Sequence, residues 1–149
     1  FFHPSAFAHC LPIINGIGQN DKSTEEDAIC VYDGNILSIE IGPAYRLDYL
    51  KSLNRSFRFG EREITLTDTY IIDGENEIKE RFVSLIEPQI MGDVVKIDDV
   101  FLKNPKGIIP KITIKEVKAH VSTVGEHNVY LIDYTMPKED TTFTLEITM

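Results

Sequence analysis

Apolar and polar positions alternate with a period of two through most of this chain, and Gly, Pro, Asn and Asp break the alternation about every 8–12 residues. That rhythm predicts strands at Leu11–Asn15, Ala28–Tyr32, Asn35–Ile41, Arg55–Phe59, Glu63–Ile72, Glu77–Ile86, Asp93–Ile97, Ile109–Ala119, Asn128–Tyr134 and Thr141–Ile147. About ten strands are more than one open sheet comfortably holds, so the pattern predicts an all-β fold, an antiparallel two-sheet β-sandwich with at most one short helix. Inward alternation on the longest segments nominates Ile64, Leu66, Tyr70, Phe82, Ile114 and Leu131 for the core. Pro43–Leu53 is the one segment with partly helical spacing, through Tyr45, Leu47, Leu50 and Leu53, and one or two turns are expected there. Asp33-Gly34, Asp73-Gly74, Met91-Gly92-Asp93 and Asn104-Pro105-Lys106-Gly107 carry turn chemistry and read as hairpin connections.

Asp68 breaks the apolar face formed by Ile64, Leu66, Tyr70 and Ile72. An unpaired carboxylate there would cost several kcal/mol, roughly, so Arg55 or Arg81 on a neighbouring strand should reach it as an inter-strand ion pair.

With 149 residues the chain fits one domain, residues 1–149, with a real core, and no apolar run approaches the length of a membrane span, so no membrane partner is expected. A net charge of -9 argues against a nucleic-acid partner. Arg46–Arg62 and Lys103–Lys118 are locally basic, and alternating lysines such as Lys111, Lys115 and Lys118 read as a solvated strand face. Cys10 and Cys30 lack CxxC spacing; buried free thiols are the default and a disulfide the alternative. No catalytic constellation emerges. His9 and Cys10 are adjacent and would point to opposite faces of a strand, Gly16-Ile17-Gly18 lacks a third glycine and a helix, and the Asp73 region has its glycine in the wrong place for a calcium loop. His120 and His127 flank a turn at Val124-Gly125 and could approach each other, although hairpin residues near a loop usually face solvent.

The segment HCLPIINGIGQ, His9 to Gln19, resembles the H-N-x-P-x-I-N-G-x-x-Q stretch of heparinase II/III-like polysaccharide lyases, with His9, Pro12, Ile14, Asn15, Gly16 and Gln19 on matching positions and Cys10 in place of the asparagine. IEIGPAYRLDYLKSLNRSFRF resembles that family's acidic-x-x-x-A-Y segment and the Arg-led strand after it. LTDTYIIDGENEIKERFVSLIEPQI resembles its I-x-D-x-Y-x-F strand, turn and R-F strand, and the resemblance covers most of Ala8 to about Val95.

The resemblance implies an N-terminal α/α toroid followed by a β-sandwich, acting in bacterial cytoplasm or periplasm by β-elimination beside a uronate carboxylate. It places the catalytic tyrosine, histidine and asparagine on the toroid and on an H-x-H-x-D segment. It also implies a zinc held by a histidine of H-x-H, an aspartate, and the histidine that opens H-N-x-P, a position that His9 matches. Toroid and H-x-H-x-D are both outside these 149 residues, so the chain is expected to be a C-terminal fragment that is inactive alone and holds no zinc unless another molecule donates ligands. Its expected partners are the toroid and, through the parent, a uronate-containing polysaccharide. A free edge at Leu11–Ile14 would permit a homodimer by strand pairing. Two alternatives stand beside this: His9 as a satisfied core residue, and the chain as a stand-alone carbohydrate-binding module, which would need an aromatic-lined sheet face from a sequence with no tryptophan.

Overall fold

The computed structural model describes residues 6–117 and 127–149, and two antiparallel sheets pack face to face in it. Its strands are β1 (Ile13–Ile14), β2 (Ile29–Tyr32), β3 (Ile36–Glu40), β4 (Leu50–Phe59), β5 (Glu63–Ile72), β6 (Ile78–Ser84), β7 (Gln89–Met91), β8 (Val94–Ile97), β9 (Val100–Lys103), β10 (Lys111–Val117), β11 (His127–Thr135) and β12 (Thr142–Thr148). One sheet has four strands in the order β1-β6-β11-β10, and the other eight in the order β2-β3-β4-β5-β12-β9-β8-β7. The only helical pieces among the described residues are short 3-10 turns at Ala6–Ala8, Glu25–Asp27 and Gly42–Tyr45.

The all-β sandwich therefore agrees with the periodicity, while several local expectations are corrected. Pro43–Leu53 is not helical beyond Tyr45: Arg46 takes φ 54°, which ends the 3-10 turn, and β4 begins at Leu50. The helical look of Leu50 and Leu53 comes from a register shift between Leu50 and Ser52, which turns two residues three apart onto the same inner face. Strands β7, of three residues, and β9, of four, lie outside the segments that the alternation nominated. Asp98, at φ 53°, makes the tight β8–β9 turn between Ile97 and Val100. Asp73-Gly74 and Asn104–Gly107 do not close hairpins; each carries the chain from the eight-stranded sheet to the four-stranded one. At the second crossing the buried Asn104 side chain accepts from the amides of Lys106 and Ile108 and donates to the Thr144 carbonyl, which fixes the bend.

Of the nominated core residues, Leu66, Tyr70 and Phe82 are in the main cluster with Leu53, Ile132, Phe143 and Leu145, and Ile64 is half-buried. Leu131 is buried on the opposite face of the four-stranded sheet, with Val129 and Val83. Ile114 is 54% exposed, because β10 is an edge strand with a neighbour on one side only. The edge at Leu11–Ile14 is short and covered: β1 contributes two residues, and Pro12, Ile13 and Ile14 are buried. The apolar strand open at an edge is instead β2, where Ile29, Val31 and Tyr32 are all exposed.

Tyr134 packs edge-on against Phe82, with ring centroids 6.0 Å apart, and its buried hydroxyl has no hydrogen-bond partner among the described residues. An unsatisfied buried hydroxyl costs about 1–3 kcal/mol. Tyr134→Phe should therefore raise the urea midpoint of unfolding, by about 1 kcal/mol in stability; an unchanged or lower midpoint would show that the hydroxyl is satisfied.

Candidate functional site

His9 lies in a bend between the 3-10 turn at Ala6–Ala8 and β1, not on a strand, and its side chain is exposed. Its own carbonyl accepts from the Leu11 amide at 2.9 Å. The residues after it are built into the molecule. Pro12, Ile13 and Ile14 are buried, and Ile14 and Ile17 exchange both backbone hydrogen bonds at 2.8 Å across Asn15-Gly16. Positive φ at both central residues, 50° and 78°, makes this the two-residue turn that Asn-Gly favours. The Asn15 amide also bridges to the Asn76 side chain at 2.8 Å and accepts from the Glu77 amide at 2.9 Å, so the turn is tied to the crossing between β5 and β6.

The segment is gripped from behind as well. Tyr45, buried at the end of its 3-10 turn, donates its hydroxyl to the Pro12 carbonyl at 2.8 Å. That turn is itself set by Glu40, whose carboxylate accepts from the amides of Gly42 (3.0 Å) and Leu53 (2.8 Å) and from the Ser52 hydroxyl (2.6 Å). A Cβ on Gly42 would stand 2.8 Å from that carboxylate and 2.9 Å from the Leu53 nitrogen, so only glycine fits. Cys10 places its sulfur at the edge of β6, where the Val83 amide donates to it at 3.3 Å. Both cysteines are free and exposed, which corrects the expectation of buried thiols and rules out a disulfide between them.

Beneath this segment is a polar cluster in the middle of the sandwich. Arg55 on β4, Asp68 on β5 and Glu80 on β6 are all buried, the two acids completely. Arg55 Nε donates to both Asp68 oxygens, at 2.8 and 3.1 Å, Nη2 donates to Asp68 and to Glu80 (3.3 Å), and Nη1 donates to the Cys10 carbonyl at 2.5 Å. Tyr70 donates its hydroxyl to Glu80. The ion pair foreseen for Asp68 thus forms with Arg55, whereas Arg81 faces the other side of β6 and holds Asp133, at 2.7 and 2.6 Å.

One guanidinium faces two carboxylates here. Burial, then the Asp68 charge, push the Glu80 carboxyl well above the usual range, and Arg55 only partly opposes them. Glu80 as a neutral acid leaves the cluster with one cation and one anion. Burial works against the Arg55 charge, but the hydrogen bond and charge of Asp68 outweigh it and hold the guanidinium protonated. Tyr70 is likewise pushed up, first by burial and then by Glu80.

The described residues do not by themselves make a zinc site: no group of three His, Cys, Asp or Glu side chains converges among them, and a structural zinc takes three or four ligands. His9 offers one open donor. The His120–His127 pairing lies outside the described residues.

Two open grooves lie at the surface of the described residues. A groove of about 630 Å³ beside the Asn15-Gly16 turn contains Lys22 and Arg46, but Arg46 is engaged by Asp27 and the Lys22 carbonyl. A second, of about 690 Å³, has Arg58 and Arg62 offset by Glu61 and Glu63. The outer face of the eight-stranded sheet presents the cross-strand row Ser38, Ser56, Thr67 and Thr144 in place of an aromatic platform. Lys103 and Lys106, in the second basic stretch, are paired with Asp93 and Asp140.

Structural comparison finds this fold in heparinase structures. The chain is similar to heparan sulfate lyase HepC from Pedobacter heparinus (TM-score 0.65, 13% identity), with 95% of this chain covering 24% of that one. It is also similar to the heparinase III BT4657 gene product (TM-score 0.64, 11% identity, 95% of this chain on 24% of that chain) and to a further heparinase III structure (TM-score 0.62, 13% identity, 94% on 23%). No family profile and no curated protein matches the sequence. The likeness read from HCLPIINGIGQ is therefore met at the level of fold: the chain has the sandwich fold of a segment of heparinase III and spans about a quarter of those chains.

The structure adds what the sequence reading missed. Glu80 as the second buried acid was hidden because its strand, read alone, shows Ile78, Glu80 and Phe82 on one face, a signal visible only when paired with the same break at Asp68. Since its carboxyl is raised in the folded state, the protein binds more protons folded than unfolded between the ordinary glutamate range and the raised value. The stability this supplies is complete below about pH 4, the unfolded-state range, and is lost as pH rises through the folded value. Glu80→Gln, which stays neutral, should gain on the wild type with rising pH in urea titrations between about pH 5 and 8; parallel stability curves would show that Glu80 is ionised in the fold.

Proposed function

We propose that this chain is the β-sandwich portion of a heparinase II/III-like polysaccharide lyase, supporting the catalytic part of its parent and contributing His9 to a metal site completed by residues outside the chain. The observation that carries this reading is the match of 95% of the chain to about a quarter of a heparan sulfate lyase. The placement of the HCLPIINGIGQ residues supports it: Pro12, Ile14, Asn15 and Gly16 each have a structural task, and His9 is left with its imidazole facing outward. Zinc, where bound, would be held in part by that imidazole and would act on groups supplied elsewhere; this chain's share is to orient the donor. β-Elimination needs a positioned base and neutralisation of the uronate carboxylate, and this reading assigns both to parts of the parent outside the chain. The substrate class of the parent is a uronate-containing polysaccharide, and its expected companion within the parent is an α/α toroid. The hydroxyl row on the outer sheet face speaks against a stand-alone module that stacks sugars on aromatic rings.

Two assays check this. The isolated chain should release no unsaturated product from uronate polymers and should bind zinc only weakly by calorimetry. A submicromolar zinc site abolished by His9→Ala would contradict the shared-site reading, and saturable binding of uronate oligosaccharides would favour the carbohydrate-binding module.

A further inference from the structure

Phe7 to Pro12 makes almost no strand ladder, yet it is held at four points. Arg55 reaches the Cys10 carbonyl, Tyr45 the Pro12 carbonyl (2.8 Å), Arg81 the Phe7 carbonyl (3.3 Å), and the Val83 amide the Cys10 sulfur (3.3 Å). Three of these act on backbone carbonyls, so they set where the chain runs and leave the side chains of His9 and Phe7 outward.

Arg55 differs from the other clamps in being a charge buried in the core. A guanidinium has five N–H donors in a rigid plane. Asp68 and Glu80 occupy the Nε and Nη2 side, which leaves Nη1 to point out of the core at Cys10. The two acids come from opposite sheets, Asp68 from β5 and Glu80 from β6, so the plane of the guanidinium is fixed by both layers at once. No other cation reaches either acid among the described residues, and the remaining polar groups facing the cluster are Tyr70, on Glu80, and Tyr45, turned to Pro12.

We propose that Arg55 is a positioning residue for the segment that carries His9, and that Asp68 and Glu80 aim its free Nη1 at the Cys10 carbonyl. The purpose of this placement rests on reading His9 as a metal donor; the placement itself is testable without metal.

The reporter is the Val83 amide, which is protected by Cys10 only while the segment is docked and which makes no contact with the cluster. Arg55→Lys keeps the charge but loses the planar fork. In hydrogen exchange by NMR it should accelerate the Val83 amide by about tenfold or more while the β5 amides of Leu66 and Tyr70 keep wild-type protection. Glu80→Gln, which still accepts from Nη2, should leave Val83 protected. Uniform acceleration of core and segment would reduce Arg55 to a general structural role and overturn the proposal, as would no change at Val83. Should Arg55→Lys fail to fold, the wild-type chain decides: the Arg55 Nη1 protons should be resolved, slow to exchange and close to Cys10 by nuclear Overhauser effect, and an averaged, fast-exchanging resonance would refute the aim. A tight zinc site, or none, would change the reading of His9 without touching either result.

Discussion

Arg55 is the point at which both sheets and the amino-terminal segment meet. Its guanidinium takes Asp68 from the eight-stranded sheet, Glu80 from the four-stranded sheet, and the Cys10 carbonyl from the chain that leads into β1. The main apolar core, with Leu53, Leu66, Ile132 and Phe143, fills the same sandwich interior. In such surroundings an incomplete cluster is costly: removing one partner of a buried pair typically loses about 3–5 kcal/mol because the other is left uncompensated. With one cation between two acids, burial and the Asp68 charge raise the Glu80 carboxyl toward its neutral form, and Tyr70 also hydrogen-bonds it.

Buried charge of this kind is a poor source of stability compared with an apolar core of the same volume. Its value here lies in direction. Leucine in place of Arg55 could fill space but could not reach a carbonyl outside the core. The Glu40 carboxylate works similarly at one remove: it holds the 3-10 turn of Gly42–Tyr45 and the start of β4, and so aims Tyr45 at Pro12. Both devices converge on the six residues before β1, which have little regular structure of their own. That convergence fixes the path of the segment and leaves the side chains of Phe7 and His9 outward.

The alternation of Glu63–Ile72 carried a ten-residue strand, its inner face and the misfit of Asp68 directly into the structure, because period two survives wherever a strand is buried on one side. The same logic failed where pairing, not sequence, decides the outcome. A bulge at the start of β4 gave Leu50 and Leu53 helical spacing, and two turns with hairpin chemistry proved to be crossings between sheets, since Asp-Gly specifies a reversal but not which strand receives it. Ile114 and Leu131 show that inward alternation does not say which face is inner, nor whether an edge strand is covered. Of the site, the HCLPIINGIGQ pattern was visible. Its clamps were not, because Arg55, Arg81, Tyr45 and Val83 reach it across separations of 33 to 74 residues.

The central claim is that the charged cluster is kept for placing the His9 segment and not for holding the sandwich together. It is tested most directly by removing the charges altogether, with Arg55→Met, Asp68→Val, Glu80→Leu and Tyr70→Phe combined, and measuring thermal unfolding and Val83 amide exchange on the same sample. The account predicts a cooperative sandwich whose Tm is at or above that of the wild type and a Val83 amide that has lost its protection. A folded variant in which Val83 exchanges as slowly as in the wild type would contradict it.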